Sequence, residues 1–276
     1  MSNFADLLPL ANEAVDLAHH IMRTLQPGTL TSKGDRDMAS EVDFAIEQQV
    51  RELLAARAPD IGFLGEEHGL SGDATELMWA LDPVDGTVNF VHGSPLCAIS
   101  LGLIHKKRSV LGIIDLPFLG TRYQAAEGCG SFANGERIYC SQTEDLQDSV
   151  VAIGDYAVGP DAAAKNVQRL AITHQLVRNV QRIRMHGSAA IDLAWLAHGK
   201  IDAFIMLNNK PWDTAAGVVI AKESGVQLVD VDGTPHSADS TATVGGNDQV
   251  LPLVLALVQQ ALSSPQAHIV AGRPGD

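Results

Sequence analysis

Apolar residues recur at helical spacing from the start of the chain. Leu7, Leu10, Val15, Leu17, Ala18, Ile21 and Leu25 place one stripe on a helix that Pro27-Gly28 stops. Val42, Ile46, Val50, Leu53 and Leu54 repeat the pattern for a second helix, with Ser40 as its N-cap and Pro59 as its end. The polar stretch between them, from Thr31 to Asp37, reads as a loop. From Ile61 onward the pattern shortens. Residues 61–64, 78–81, 98–105, 110–115 and 122–126 read as strands broken by Gly and Pro, with Lys106-Lys107-Arg108 as a strand-end turn. Asn134-Gly135 carries the residue types of a tight hairpin. Two helices on a meandering, mostly antiparallel sheet result.

Past the polar stretch 141–148 the pattern alternates. Strand-like segments (149–154, 201–207, 227–230, 241–244) interleave with helix-like ones (162–174, 188–198, 212–224, 249–262), and Gly199 and Gly225 stand where helix C-caps belong. The chain therefore divides into an N-terminal α+β part, residues 1–145, and a C-terminal α/β part, residues 146–276. The tail from Ala271 to Asp276 is expected to fray.

Composition narrows the function. With 276 residues, 46% hydrophobic and 19% charged, the chain is an ordinary globular protein. Its apolar runs fall far short of the ~20 residues a bilayer needs, so no membrane span is expected. The first residues lack a secretory signal, which points to the cytoplasm. Cys97, Cys129 and Cys140 have neither disulfide nor zinc spacing and read as reduced structural residues. A net charge of −14 repels nucleic acid. The same charge repels anionic small molecules, unless carboxylates gather cations that reverse the local sign.

Carboxylates do gather at element ends. Asp82-Pro83-Val84-Asp85-Gly86-Thr87 follows an apolar strand; Pro83 biases Asp82 towards an extended backbone, so the strand does not pass directly into helix, and a turn brings Asp82 and Asp85 together. Two hard oxygen donors suit Mg²⁺. Gly86 allows close backbone approach and Thr87 offers a hydroxyl, while both amides suit a phosphate oxygen. The same residue types also favour a plain surface turn. Gly65-Glu66-Glu67 ends a neighbouring strand, where Glu67 and His68 read as solvated surface. Pro211-Trp212-Asp213 opens a late helix, where Asp213 also suits the helix dipole. Asp43 falls in the first turn of the second helix.

Together and in this order, Gly65-Glu66-Glu67, Asp82 to Phe90 and Trp212-Asp213-Thr214-Ala215-Ala216-Gly217 resemble the inositol monophosphatase family, among the lithium-sensitive, fructose-bisphosphatase-like phosphatases. The resemblance extends to the helical N-terminus, to Gly187-Ser188-Ala189-Ala190 and to the Gly-rich stretch 127–135. It implies a layered αβαβα sandwich and a metal set of Glu66, Asp82, the Val84 carbonyl, Asp85, Thr87 and Asp213. It further implies two or three Mg²⁺ ions that neutralise the phosphate and activate water. Glu66, Thr87 and Asp43 would then be catalytic, Thr87 paired with Asp43. Asp85, Gly86, Thr87, Gly187, Ser188, Ala189 and Asp213 would bind substrate. A homodimer is implied as well.

The substrate class is a small phosphorylated metabolite, first inositol 1-phosphate or a related sugar phosphate, then fructose 1,6-bisphosphate or histidinol phosphate. Met206 stands where many inositol phosphatases carry a Glu that contacts a ring hydroxyl, and Asn208 or Asn209 are candidates to replace that contact. Arg184 and His186 read as structural or exposed. The rival of a different class is a non-catalytic regulatory protein on the same fold, which would have no chemical reason to retain the ligand set.

Overall fold

The computed structural model describes residues 4–35, 37–71 and 76–263. The tail expected to fray lies outside them. A 3₁₀ turn (Phe4–Leu7) leads into α1 (Leu8–Thr24); β1 (Leu30–Gly34) and β2 (Asp37–Ser40) precede α2 (Glu41–Arg57). The predicted cap on α2 is present: the Val42 amide donates to Ser40 Oγ (3.3 Å), and the Ser40 amide donates back to Asp43 Oδ2 (2.9 Å).

A large sheet follows. Its strands are β3 (Gly62–Gly65), β4 (Gly69–Ser71), β5 (Leu77–Asp85), β6 (Ala98–His105), β7 (Arg108–Leu116), β8 (Thr121–Ala126), β9 (Gly130–Ala133) and β10 (Glu136–Arg137), with α3 (Thr87–Val91) after β5. They lie in the order β10-β9-β8-β7-β6-β5-β3-β4, antiparallel except for the β3–β5 pair. Asn134 and Gly135 both take positive φ in the predicted hairpin between β9 and β10.

The second sheet holds β11 (Val150–Ile153), β12 (Arg182–Arg184), β13 (Ala203–Leu207), β14 (Gln227–Val229) and β15 (Ala242–Gly246). Its order is β12-β11-β13-β15-β14, and β11 runs parallel to both neighbours. Four helices accompany it: α4 (Ala162–Asn179), α5 (Ala189–Ala197), α6 (Pro211–Glu223) and α7 (Val250–Ser263).

Three packed interiors make this an αβαβα sandwich. Val15, Val42 and Ile46 of α1 and α2 meet Trp79, Leu101 and Ile113 on the outer face of the large sheet. Leu193 of α5 and Val219 of α6 meet Ile114 and Tyr123 on one side and Phe204 on the other, filling the space between the sheets. Ile172 and Leu176 of α4, with Val254 and Val258 of α7, cover the far face through Val151 and Val244. Helix α6 is therefore enclosed, and small residues permit it. Gly102 and Gly112 face each other across β6 and β7. A Cβ on Gly102 would lie 2.6 Å from the Ala216 nitrogen, and one on Gly112 would lie 2.6 Å from Ala216 Cα.

Two sequence expectations need correction. The described residues of the stretch 31–37 are not a loop but belong to an antiparallel hairpin, with Leu30 opposite Ser40. Every residue of β1 is exposed, so no hydrophobic alternation could announce it. Pro83 does not end its strand: β5 runs on to Asp85, and the turn expected there is a bulge, where the β6 register shifts between Asp82 and Asp85. A bulge tolerates a residue without an N–H. The short strands β4 and β12 were not foreseen, and α4 runs to Asn179.

Candidate active site

The C-terminal ends of β3 and β5, the turn into α3 and the N-termini of α5 and α6 meet around one cavity of about 230 Å³. Glu66, Asp82, Val84, Asp85, Gly86, Thr87, Gly187, Ser188, Ala189 and Asp213 all line it. Asp43 does not; it lies fully buried behind Thr87.

Each acidic side chain is held by its own local structure. The Val84 amide donates to Asp82 Oδ1 (3.1 Å), fixing that carboxylate within the bulge. Asp85 Oδ2 accepts from Ser188 Oγ and from the Ala190 amide, both at 2.6 Å, so the start of α5 is fastened to the end of β5. Asp213, in the first turn of α6, accepts from the Lys210 amide (2.8 Å). Thr87 Oγ is within hydrogen-bond reach of Asp43 Oδ1 (3.1 Å) and the Val84 carbonyl (3.0 Å). Gly86 sits at φ +89°, and a Cβ there would press on the carbonyls of Gly187 and Leu96 at 3.0 Å.

Burial and crowding set the electrostatics. Burial, followed by the charges of Glu66, Asp85 and Asp213, pushes the Asp82 carboxyl well above its ordinary range. Burial lifts Asp85 to about 7 against the pull of Ser188 and Ala190, and lifts Asp213 to about 7 as well. Burial also raises Asp43, opposed by its bonds to Ser40 and Thr87. Like charges crowded this way call for a cation.

Lys33, from the β1–β2 hairpin, brings a cation here, and the charge of Lys210 reaches Asp213. Lys33 Nζ donates to Glu66 Oε1 (2.5 Å) and Glu67 Oε1 (2.9 Å). Burial works against the ammonium, but Glu66 and Glu67 more than offset it and hold its pKa up. Glu67 is accordingly not solvated surface: its side chain is 2% exposed, and burial raises it to about 7 despite Lys33. His68 is half-exposed yet tied to Glu47. As the side chains stand, no three His, Cys, Asp or Glu among the described residues enclose a metal ion. The donor set still fits one, because buried hard oxygens repelling one another are what a divalent cation relieves.

Sequence reasoning missed several supports. Glu47, buried in α2, accepts the amides of Glu67 (2.7 Å) and His68 (3.0 Å) and pairs with Arg51, so it pins the turn that carries Glu66. Its place on a helical stripe disguised it. We expect Glu47→Gln to lower unfolding free energy by about 1–3 kcal/mol, the scale of a buried charge-assisted hydrogen bond, in urea titration. Asn89 Nδ2 donates to the carbonyls of Leu96 (2.8 Å) and His186 (2.7 Å), stitching α3 to the approach of α5. His186 is half-buried and bonded to Asp192, and Arg184 is exposed, both as expected of structural residues. Asn208 and Asn209 do not line the cavity: the Asn209 side chain turns away to the Ser240 carbonyl. Asp155 and Asp192 do line it.

Comparison with known proteins agrees with this geometry. A profile of the inositol monophosphatase family matches residues 7–263. The chain belongs to that family. It is 35% identical over 227 residues to the inositol-1-monophosphatase ImpA of Mycolicibacterium smegmatis, covering 82% of both chains. It is 34% identical over 197 residues to the fructose-1,6-bisphosphatase/inositol-1-monophosphatase of Aquifex aeolicus, covering 71% of this chain and 73% of that one. Among solved structures, the Thermotoga maritima IMPase superposes with a TM-score of 0.84 at 28% identity, over 93% of this chain and 98% of that one. The extragenic suppressor protein suhB of Bartonella henselae also reaches 0.84 at 28% identity, over 92% of this chain and 99% of that one. As an inositol monophosphatase family member the chain is a phosphoric monoester hydrolase, of a kind that works with divalent metal ions.

Proposed function

We propose that the chain hydrolyses the phosphate of a polyol or sugar monophosphate, inositol 1-phosphate first, with Mg²⁺ as its metal. The supporting observation is the meeting of Glu66, Asp82, Asp85 and Asp213 in one cavity beside the Thr87–Asp43 pair. Those four carboxylates, the Val84 carbonyl and Thr87 Oγ would hold two or three ions. Bound Mg²⁺ supplies charge neutralisation for the phosphate and an acidified water. The residues do the rest. Glu66 holds the attacking water, and Thr87 orients it and passes a proton towards Asp43. The amides of Gly86 and Thr87 face the non-bridging phosphate oxygens, on which charge shifts in the transition state. Asp85, Gly187, Ser188, Ala189 and Asp213 bound the space for the alcohol.

The division at residues 145/146 belongs to this reading: the first part brings Asp43 through Thr87, and the second brings Asp213 and the start of α5. The location is proposed as cytoplasmic and, from the resemblance, the assembly as a homodimer; sedimentation of the purified chain checks the dimer. No described helix is long and apolar enough to cross a membrane.

A second reading, fructose-1,6-bisphosphatase activity, is favoured by the name of the Aquifex aeolicus relative. Asp155 and Asp192 oppose it, since they line the cavity with negative charge where a second phosphate would need a cation. Phosphate release from inositol 1-phosphate, fructose 1,6-bisphosphate and histidinol phosphate, with Mg²⁺ or EDTA, tests both. The expected result is Mg²⁺-dependent release, fastest from inositol 1-phosphate; release from none would return the weight to a non-catalytic protein.

Metal should also show in stability. In the metal-free protein Asp85 and Asp213 have folded pKa values near 7, above their ordinary 3.8, so their contribution to stability is lost as pH rises towards 7 and restored towards 4. Saturating Mg²⁺ at about 100 times its Kd should add about 2.7 kcal/mol at neutral pH. That gain should shrink below pH 7, where protons compete. Calorimetry from pH 5 to 8, with and without Mg²⁺, reads both trends.

A further inference from the structure

Two carboxylates in the cavity, Asp155 and Asp192, remain unused by the metal site. Asp155 follows β11, and its backbone is clamped: the Gly154 amide donates to the Ile205 carbonyl (2.9 Å), and Arg169 Nε donates to the Asp155 carbonyl (3.1 Å). Arg169 Nη2 reaches the Leu207 carbonyl (3.1 Å), so one guanidinium ties β11 to β13 beside Met206. Among the described residues, no hydrogen bond or ion pair engages the Asp155 carboxylate itself.

The other acceptors nearby already have partners. Asp192 is bonded to His186, Asp213 to the Lys210 amide, and Ser188 Oγ gives its proton to Asp85. Met206 and Phe204, which also line the cavity, offer only apolar surface. Asp155 stands one residue's width from the phosphate end. Its Oδ2 lies 3.5 Å from where a Cβ on Gly187 would be, while the Gly187 carbonyl abuts Gly86.

We propose that Asp155 is a specificity-determining residue: its exposed, unpaired carboxylate, carried on a clamped backbone, accepts hydrogen bonds from hydroxyls of the alcohol moiety, while Met206 takes the C–H face. This rests on the phosphatase reading above. A carboxylate repels a further anion and binds an apolar group poorly, whereas vicinal hydroxyls offer it neutral donors. The substrate class that follows is a hydroxyl-rich monophosphate ester. A ligand that leaves this acceptor unpaired forfeits its desolvation, the asymmetry by which polar sites reject analogues lacking a hydroxyl.

The test compares inositol 1-phosphate with phenyl phosphate, which has no hydroxyl, using wild type, Asp155→Ala and Asp155→Asn at saturating Mg²⁺. The ratio of kcat/KM for inositol 1-phosphate to that for phenyl phosphate should fall about 10–100-fold in Asp155→Ala. The loss should sit in KM, and Asp155→Asn, which keeps an acceptor oxygen, should recover part of it. Equal losses on both esters, an unchanged ratio, or a shifted Mg²⁺ requirement would overturn the assignment. Should wild type release phosphate from neither ester under Mg²⁺, the phosphatase reading itself fails, and this inference with it. Unchanged melting temperatures in both variants separate the effect from a packing fault.

Discussion

Replacing Asp82 by Asn should lower phosphate release by a factor on the order of 10³ or more while making the metal-free protein more stable. The two effects have one cause. Asp82 is buried among Glu66, Asp85 and Asp213, and its carboxyl is pushed well above its ordinary range. At neutral pH the fold therefore works against its own charge there, an outlay that only a bound cation returns. Asn keeps the oxygen that accepts the Val84 amide, so the bulge loses no hydrogen bond. The expected gain is about 0.5–2 kcal/mol, as for other sites where function opposes stability. Thermal unfolding in EDTA checks the gain, and phosphate release in Mg²⁺ checks the loss. With Mg²⁺ present the order of stabilities should reverse, because the variant binds the ion less well. A variant less stable than wild type in EDTA would mean that Asp82 is a structural group.

The second large effect is expected from packing alone. Gly102→Ala should cost about 1–3 kcal/mol, the usual scale of overpacking, because the new Cβ would stand 2.6 Å from Ala215 Cβ and from the Ala216 nitrogen. Backbone cannot swing aside as a flexible side chain does. Helix α6 must move as a body, yet its opposite side is held by Leu193, which Gly217 admits closely. Asp213 rides on the first turn of α6, so kcat should fall with stability, by about 10²-fold for a displacement near 1 Å. Gly112→Ala pushes on the same helix. The double variant should therefore cost less than the sum of the singles, by more than ~0.5 kcal/mol. Urea unfolding of the four proteins measures this, and strict additivity would show that the helix does not move as a unit.

These cases also show what the sequence could and could not disclose. The enclosed helix was legible as a helix, since Pro211 opens it and Gly225 ends it. The meaning of Thr214-Ala215-Ala216-Gly217 was legible only as a motif, because the glycines that accept those alanines lie on strands more than a hundred residues earlier. Metal-side residues stood out because they cluster at strand ends and match a family pattern. Lys33 did not, as it sits on a strand with no buried residue. Asp155 did not either: a Gly-Asp pair after a short strand is what any loop offers, and only the fold sets it beside Met206. Glu67 was misjudged for the opposite reason, since a Glu-Glu pair carries no local sign that one partner is covered.

The bond from Asp85 to the Ala190 amide spans 105 residues, and Asp213 comes later still. On the ribosome, then, the acidic pocket does not exist while the large sheet is being made. Glu66, Asp82 and Asp85 come together when β3 pairs with β5, but they stay open to water until α5 and α6 arrive. The burial of these charges, and the added repulsion of Asp213, is thus deferred to the end of synthesis, when most of the protein's apolar surface is ready to be buried with it. A nascent chain stalled before α6 would fold its first sheet without Asp213 and without burying those charges.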